Sequence, residues 1–320
     1  MKLIFALSIA GGIVIFGGCS GYIQRIVVDS LGRLGDPVDQ PRRMITTPVL
    51  SEAELAVSWV GHATVIVQIH DKIFITDPLF TDNVGIVAKR FVGPALDPSL
   101  LPKVDFTLIS HLHFDHFSYG SLDQLPKGGS LLLPQGGLAY TPHLGFNEIV
   151  ELKPWESVEQ EGVKVTAVPV QHFSGRYGLD SRWMQDRGYT GYVIEYKGYG
   201  IFIGGDTGYH PELFKETGRR FEIDVAILPI APGSTTTLGS RVHVGPRGAL
   251  AIAQDLGARY LVPMHYGTLF YGSNHDPTYA IEQLRIAALE QGRSDEIVGL
   301  EPGEQRILAP VQPGAATPSR

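Results

Sequence analysis

The sequence predicts a layered α/β sandwich, and three observations lead to that prediction. The early strands follow one another as hairpins, whereas the later strands alternate with helices, which is the order expected when sheets and helices form separate layers. The chain has 320 residues, which is enough to bury a large core. Its 38 glycines and 22 prolines indicate many turns between short elements.

The predicted strands are apolar runs rich in β-branched residues, and turns separate them. The ordered part of the chain opens with AVSWVGHATVIVQIHDKIFITDPLF, which holds three such runs. The predicted strands cover 56–60, 64–69, 73–76, 104–110, 163–170, 191–196, 199–205, 224–230 and 260–264.

Two helices are predicted among the later strands. One covers 246–256, with Pro246 in its first turn and Gly257 just past its end. The other follows Asp276-Pro277, which is typical of a helix cap and first turn.

The N-terminal residues predict export from the cytoplasm. Residues 1–18, MKLIFALSIAGGIVIFGG, carry one Lys and then a long apolar stretch, as a secretory signal does. Small residues precede Cys19, the only cysteine, as in a bacterial lipoprotein signal, in which the new N-terminal cysteine receives lipid. The alternatives are a plain signal or an uncleaved anchor helix, for which so short a stretch is marginal.

We therefore expect a protein of the bacterial cell envelope that is held at a membrane surface through lipidated Cys19. In a cell with an outer membrane, Ser20 resembles the signal for sorting to that membrane, facing the periplasm. The charge balance argues against nucleic acid as a partner, because the net charge is -7 and no basic stripe is present. The sequence does not predict an oligomeric state.

The hexapeptide HLHFDH, residues 111–116, places four possible metal ligands directly after a predicted strand. His111 and His113 are two apart and can face one ion, whereas Asp115 and His116 can turn to a second. Neutral imidazole suits zinc, and a carboxylate can complete or bridge the coordination. Such a concentration would rarely arise from a chain with 11 histidines by composition alone. The hexapeptide leaves a single structural metal open as an alternative.

Three later residues also stand just beyond hydrophobic strands. They are His172 in VPVQHFSGR, Asp206 in FIGGDTGY and His265 in LVPMHYGT. A lone histidine at a strand end is more often an ordinary hydrogen-bonded residue. Beside HLHFDH, the three together favour metal binding. Gly204 and Gly205 would let the backbone approach its neighbours closely before Asp206.

This series resembles the metallo-β-lactamase superfamily over about residues 55 to 300. Within it, the chain is most similar to the family of N-acylphosphatidylethanolamine-hydrolysing phospholipase D and its bacterial relatives. The narrower resemblance is carried by WVGHATVIVQI, TDPLF, RFVGP, DFTLISHLHFDH, QHFSGR, GGDTGYHPE, and HVGP followed later by MHYGT. It implies an αββα sandwich with two metal ions at one edge.

The resemblance also implies which residues hold the metals. The first metal would be held by His111, His113 and His172, the second by Asp115, His116 and His265, with Asp206 bridging both. Zinc is the expected metal for two sites dominated by histidine, although iron or manganese also suits histidine and carboxylate ligands.

Three further residues receive supporting or alternative roles. Asp77, in TDP, resembles the family's early aspartate, which supports the ligand loop, or else caps the turn before Pro78. His243, in RVHVGP, aligns with a family histidine near the pocket and would donate a hydrogen bond to substrate or leaving group. The alternative is that it has no chemical role and only stands where the chain enters a helix. His62, in WVGHAT, is expected to be structural or to support the ligands.

The implied function is a phospholipase D-type phosphodiesterase that releases an N-acylethanolamine and a phosphatidic acid from N-acylphosphatidylethanolamine or a similar lipid. A hydroxide shared by the two metals would attack phosphorus in line. The candidate catalytic residues are Asp115, Asp206 and His243. One alternative is a lactone, ester or small-phosphodiester hydrolase with the same centre. The other is an envelope lipoprotein that binds metal without turnover.

The loops that would border the pocket depart from the family pattern. Arg247 and Gly248 stand where acidic residues are common, and 231–241 is small and polar where aromatic residues are usual. These departures concern the substrate and leave the metal ligands unchanged.

The expected domain organisation has four parts. Residues 1–18 are a signal peptide, 19–50 a tether, 51–308 the catalytic domain, and 309–320 a mobile tail without a core-forming pattern.

Overall fold

A computed structural model describes residues 36–84, 88–173, 175–177, 179–184, 187–269 and 276–311. The predicted signal peptide, Cys19, the first part of the predicted tether and most of the predicted tail lie outside these ranges. Within them, no helix has both the length and the apolar composition needed to cross a bilayer.

The strands are short, as the many turn residues predict. They are β1 (Ala53–Gly61), β2 (Thr64–Ile69), β3 (Lys72–Thr76), β4 (Asn83–Val84), β5 (Ala88–Lys89), β6 (Phe106–Leu108), β7 (Ser130–Pro134), β8 (Glu148–Leu152), β9 (Ser157–Gln160), β10 (Val163–Val168), β11 (Gly191–Tyr196), β12 (Tyr199–Ile203), β13 (Val225–Pro229), β14 (Tyr260–Met264) and β15 (Gln305–Pro310). The α-helices are α1 (Tyr119–Leu122), α2 (Pro211–Arg220), α3 (Pro246–Leu256) and α4 (Tyr279–Glu290).

Over the described residues, the strands form two large sheets. One has the order β15-β1-β2-β3-β6-β7-β8 and the other the order β14-β13-β12-β11-β10-β9. The hairpins come first in the chain: β1, β2 and β3 pair antiparallel, whereas β3, β6, β7 and β8 pair parallel. This mixture matches the predicted change from hairpins to helix-linked strands.

The two sheets pack face to face around the main core. Val65 and Val67 of β2 belong to the core that both sheets share, whereas Ile66 between them faces the other way. This period of two is what a strand buried on both faces requires. Helices α2, α3 and α4 contribute to the core beside the second sheet, and α1 with its neighbouring loops covers the first. The architecture is therefore an αββα sandwich, as predicted.

Helix α3 begins and ends where the sequence predicts. Pro246 occupies its first turn, and Gly257 closes it with a left-handed φ of 67°. Helix α4 starts at Tyr279, three residues after Asp276, and buries Ile281 and Leu284. Helix α2 was not predicted, because half of its sequence PELFKETGRR is charged and few of its side chains are buried.

Six strands among the described residues were also missing from the prediction, and two of them, β4 and β5, have only two residues each. Strands β8 and β9 lie at sheet edges, and their side chains are largely exposed or half-buried, so they lack a clear apolar period. β7 is a short apolar run after two glycines, and β15 pairs with the free edge of β1. Edge pairing depends on the partner strand more than on the sequence of the added strand.

Residues at both ends of the predicted catalytic domain contact its sheets. Ile45 is only 1% exposed and pairs with Leu96, and both backbone groups of Leu50 bond the Gln68 side chain. Ile45 and Leu50, in the predicted tether, thus contact the domain. At the other end, β15 runs to Pro310, two residues past the predicted boundary, because that residue still pairs with Ala53.

Candidate metal centre

The predicted ligands meet because their strands end at the same edges. In the first sheet, β3 and β6 are parallel, so Asp77 and the loop after β6 leave from one edge. In the second sheet, β10 and β12 both pair antiparallel with β11, and β12 to β14 are parallel. The carboxyl ends of β10, β12 and β14 therefore share one edge, and His172, Asp206 and His265 follow these ends.

The loop after β6 divides its side chains between core and site. Leu112 is fully buried in the hydrophobic core, which leaves His111 and His113 on the opposite side of the extended chain. The carbonyl of His113 then accepts hydrogen bonds from the backbone N–H groups of His116 and Phe117. This turn brings His116 back toward the site.

The side chains form two groups, each close enough to hold one ion. The first group is His111, His113 and His172, and the second contains Asp115, His116 and His265 together with His62. In the first, His172 Nε2 lies 3.3 Å from His113 Nδ1. In the second, His265 Nε2 lies 3.1 Å from His116 Nε2.

Asp206 lies between the two groups. Its Oδ2 is 4.0 Å from His111 Nε2 and 3.5 Å from His116 Nε2, and its Oδ1 is 3.2 Å from His265 Nε2. Gly205, just before Asp206, lets the backbone pass close to Ser110. Its φ is +56°, and a Cβ at this position would stand 2.3 Å from the Ser110 Cβ. The predicted need for small residues before Asp206 therefore has a steric cause.

These residues fit metal ions by their chemistry and spacing. Tetrahedral zinc with Zn–N bonds of 2.0–2.1 Å separates two ligand nitrogens by about 3.3–3.4 Å, which is close to both facing histidine pairs. Among the described residues, buried His111 Nε2 has no hydrogen-bond partner. A cation would satisfy this lone pair and the facing ring nitrogens together.

The protein fixes the ligand rings through their second nitrogens or through neighbouring groups. The Asp77 carboxylate accepts hydrogen bonds from His116 Nδ1 at 2.8 Å, from the Ser110 N–H at 2.7 Å and from the Ser110 hydroxyl at 2.6 Å. Ser110 Oγ in turn contacts His111 Nδ1 at 2.9 Å. Asp77 is fully buried, so it supports the ligand loop in addition to forming a turn.

Two backbone carbonyls hold two further histidine ligands, His172 and His265. The Val242 carbonyl lies 2.9 Å from His172 Nδ1, and the Ala231 carbonyl lies 3.0 Å from His265 Nδ1. Carbonyl acceptors at Nδ1 leave Nε2 as the nitrogen directed to the site. The segment from 231 to 242, which we call the covering loop, is thereby attached to both ligand groups.

Burial and the two carboxylates divide the histidines into two classes. Burial lowers the pKa of His111 and His172 well below the ordinary value and that of His113 to about 4. Burial opposes charge on His265 and His116 as well, but Asp206 and Asp115 raise the pKa of His265 to about 9, and Asp115 raises that of His116 well above the ordinary value. Protons thus balance the carboxylates where a metal cation would otherwise do so.

The structure places His243 beside the same site. Its Nδ1 lies 3.5 Å from Asp206 Oδ2, and its side chain is 23% exposed. The structure also shows contacts of two further residues that the sequence does not predict. His62 Nε2 is 3.2 Å from Asp115 Oδ2, and Arg176 donates to the carbonyls of Leu112 and Phe117 at 2.8 Å each. No local pattern in the sequence indicates these contacts, since each partner is at least 50 residues away.

The fold and this histidine-aspartate site define the class of protein. The beta-lactamase superfamily domain matches residues 73–266, which is more than half of the chain. The chain therefore belongs to the metallo-β-lactamase superfamily, as the sequence motifs predicted.

Particular relatives agree with this class. The chain is 32% identical over 165 residues to a UPF0173 metal-dependent hydrolase of Methanopyrus kandleri, covering 52% of this chain and 65% of that relative. It is 27% identical over 274 residues to the N-acyl-phosphatidylethanolamine-hydrolyzing phospholipase D 1 of Caenorhabditis elegans, covering 79% of this chain and 76% of the relative.

A solved structure shows the same fold. The isothiocyanate hydrolase from Delia radicum gut bacteria superposes with a TM-score of 0.62 at 20% identity, over 79% of this chain and 99% of its own. At that identity the likeness concerns the fold alone.

Proposed function

We propose that the protein is a metal-dependent hydrolase, and specifically a phosphodiesterase of the phospholipase D type. Its substrate would be N-acylphosphatidylethanolamine or a similar lipid, and its products an N-acylethanolamine and a phosphatidic acid. The observation that carries the proposal is the position of Asp206 between two groups of buried histidines. The similarity to the nematode phospholipase D along 79% of the chain supports the substrate class.

The metal ligands in this proposal are those that the family resemblance implies. His111, His113 and His172 would hold one ion, Asp115, His116 and His265 the other, and Asp206 both. We propose zinc for both, with iron or manganese as the alternatives that suit the same ligands. Two such ions would lower the pKa of a shared water and stabilise charge on a phosphoryl oxygen.

Asp206 and His243 would have two different roles, Asp206 at the metals and His243 at the substrate. Asp206 is buried, so its carboxylate is held in one position against both histidine groups. His243 is partly exposed and lies against Asp206, so its ring can reach a bound substrate. Burial lowers the pKa of His243, which leaves a neutral imidazole at pH 7. A neutral imidazole can donate one hydrogen bond, and we assign that bond to the leaving oxygen.

The covering loop is the part of the chain that would select the substrate. Its two ends hold His172 and His265 through the Val242 and Ala231 carbonyls. Between those ends the sequence is PGSTTTLGSR, which is small and polar. Because aromatic residues are usual here in the family, this difference in composition concerns the substrate. Lactones and small phosphodiesters are therefore alternative substrates for the same centre.

The proposed location is the cell envelope. Attachment of lipid at Cys19 would hold the catalytic domain at a membrane surface, where a phospholipid substrate is concentrated. The segment that carries this proposal lies outside the described residues. Mass spectrometry of the protein extracted from membranes would test it through the mass of the lipidated N-terminal peptide.

The substrate is tested by incubating the zinc-loaded protein with N-acylphosphatidylethanolamine in mixed micelles and detecting N-acylethanolamine by mass spectrometry. We expect product, and we expect Asp206→Asn to lower the rate by more than about 100-fold, because even groups that only orient a ligand change activity by about 10- to 100-fold. An Asp206→Asn variant with two bound metals and full activity would refute the bridging role.

Two other outcomes would change the proposal. Cleavage of a lactone without cleavage of any phosphodiester would show that the centre attacks a carbonyl carbon and not phosphorus. Tight metal binding without turnover on lipids, lactones and a bis-aryl phosphodiester would favour a metal-binding envelope protein.

A further inference from the structure

The turn between β1 and β2 reaches into the second group of ligands. His62 occupies this turn, is fully buried, and has a left-handed φ of 54°. Its Nε2 lies 3.2 Å from Asp115 Oδ2, which is closer than the 3.5 Å and 3.6 Å that separate this oxygen from His265 Nε2 and His116 Nε2. Of these three histidines, the one in the turn therefore lies closest to Asp115 Oδ2.

The same residue is coupled to His265. The two rings pack with their centroids 4.1 Å apart, and the His62 carbonyl accepts the backbone N–H of His265 at 2.9 Å. The Trp59 indole N–H donates to this carbonyl as well, also at 2.9 Å. A β-hairpin turn has no general need for histidine in a left-handed conformation, which is unfavourable for residues with a Cβ. These contacts explain why histidine occupies the position.

We propose that His62 is a positioning residue for the second metal, and that it acts by donating a hydrogen bond from Nε2 to the Asp115 carboxylate. A carboxylate only accepts hydrogen bonds, so the ring must be the donor. The bond would hold the Asp115 carboxylate so that its Oδ2 stays beside the ligand nitrogens of His265 and His116. The ring contact fixes His265 at the same time. The inference rests on the metal centre of the proposed function but not on its substrate.

The test compares two substitutions of His62, one that keeps the turn conformation without the contact to Asp115 and one that can restore a hydrogen bond to Asp115. His62→Asn keeps the left-handed conformation, which asparagine adopts readily, but its shorter side chain falls short of Asp115. His62→Gln has a longer reach and an amide N–H donor. We expect His62→Asn to keep the first metal and to lose about 10- to 100-fold in affinity for the second, with partial recovery in His62→Gln. Metal content by mass spectrometry and titration with Co²⁺ measure both affinities without substrate.

A matched control is available in the next hairpin turn. His70 has a φ of 50° between β2 and β3, where it packs on Tyr196 and Tyr199. His70→Asn should therefore leave both metal affinities unchanged. If His62→Asn also binds both metals with unaltered affinity, or weakens both equally, the positioning role is refuted.

A double-mutant cycle separates positioning from direct ligation. If His62 acts through Asp115, then His62→Asn should cause little further loss of Co²⁺ affinity in an Asp115→Asn background. A full, additive loss in that background would make His62 a ligand in its own right and overturn the proposal. Because these titrations involve no substrate, the inference can succeed even if no phospholipid is cleaved.

Discussion

At the scale of single residues, the site depends on how each ring is oriented. Neutral imidazole presents only one lone pair, so a ligand histidine must have its other nitrogen occupied. The Asp77 carboxylate does this for His116, and the Val242 and Ala231 carbonyls do it for His172 and His265. His243 is different, because its side chain is partly exposed and its Nδ1 lies against Asp206. Orientation thus distinguishes the ligands from a residue that faces substrate.

We predict that His243→Ala keeps the metals and loses rate. Alanine removes the hydrogen bond that we assign to the leaving oxygen, so kcat/KM for a bis-aryl phosphodiester should fall by about 100-fold or more. Metal content should equal that of the unaltered protein, since His243 is not among the proposed ligands. The measurement is a pH profile of kcat/KM together with metal analysis. If the pH profile and the rate are both unchanged, His243 has no role at the substrate and is only part of the loop that precedes α3.

At the scale of elements, the ligand loop 111–116 is held from two sides. Leu112 anchors it in the core, and the Arg176 guanidinium donates to the carbonyls of Leu112 and Phe117. This guanidinium also lies over the rings of Phe114 and Tyr119, 4.6 Å and 4.5 Å from their centroids. Arg176 follows His172 by four residues, so one segment carries a ligand and clamps the loop that carries four others.

We predict that Arg176→Lys lowers the free energy of unfolding by about 2–3 kcal/mol, because a lysine ammonium cannot reach both carbonyls and stack on the rings together. Chemical denaturation of the metal-free protein measures the change, and zinc affinity should fall with it. Arg43→Lys is the matched control. Its Arg43–Glu304 pair is an exposed hydrogen-bonded pair, so we expect a change below about 0.5 kcal/mol. Equal effects of the two substitutions would contradict the clamp.

At the scale of the whole molecule, two sheets bring buried carboxylates and histidines to one place. Asp115 and Asp206 have pKa values well below the ordinary range, because nearby histidines oppose the effect of burial. The same interaction raises the pKa of His116 and His265, so a proton is held between their facing Nε2 atoms at neutral pH. The centre is therefore arranged so that cations and protons compete for the same nitrogens.

We predict that zinc binding to the metal-free protein releases about one proton at pH 7.5, from the coupled pair His116 and His265. Since the raised pKa of His265 is about 9, the apparent zinc affinity should increase with pH up to that value and then level off. Calorimetric titrations in buffers of different ionisation enthalpy count the protons. His265→Ala should release fewer, and proton uptake on binding would contradict the assignment of these two histidines.

Much of this architecture was predictable because its signals are local. The hairpin strands β1 to β3 and helix α3 were predicted from apolar period and from Pro246 and Gly257. The αββα class and the superfamily were confirmed. The structure also brings all seven predicted ligands to one site, although their individual roles in holding metal stay predictions. The strands that were missed, such as β8 and β9, lie at sheet edges and bury too little to carry a period.

The sequence by itself determined the layered α/β class, the strand ends that carry ligands, and the types of ligand, because period and residue type are properties of short stretches, whereas the αββα order came from the family resemblance. Only the tertiary structure decided which groups orient those ligands. His62 meets Asp115 across 53 residues, and Arg176 meets Leu112 across 64. The first contact joins two loops of one sheet, and the second joins loops of the two sheets. A short stretch of sequence cannot specify them, since the free energy that fixes them comes from burial of the whole core.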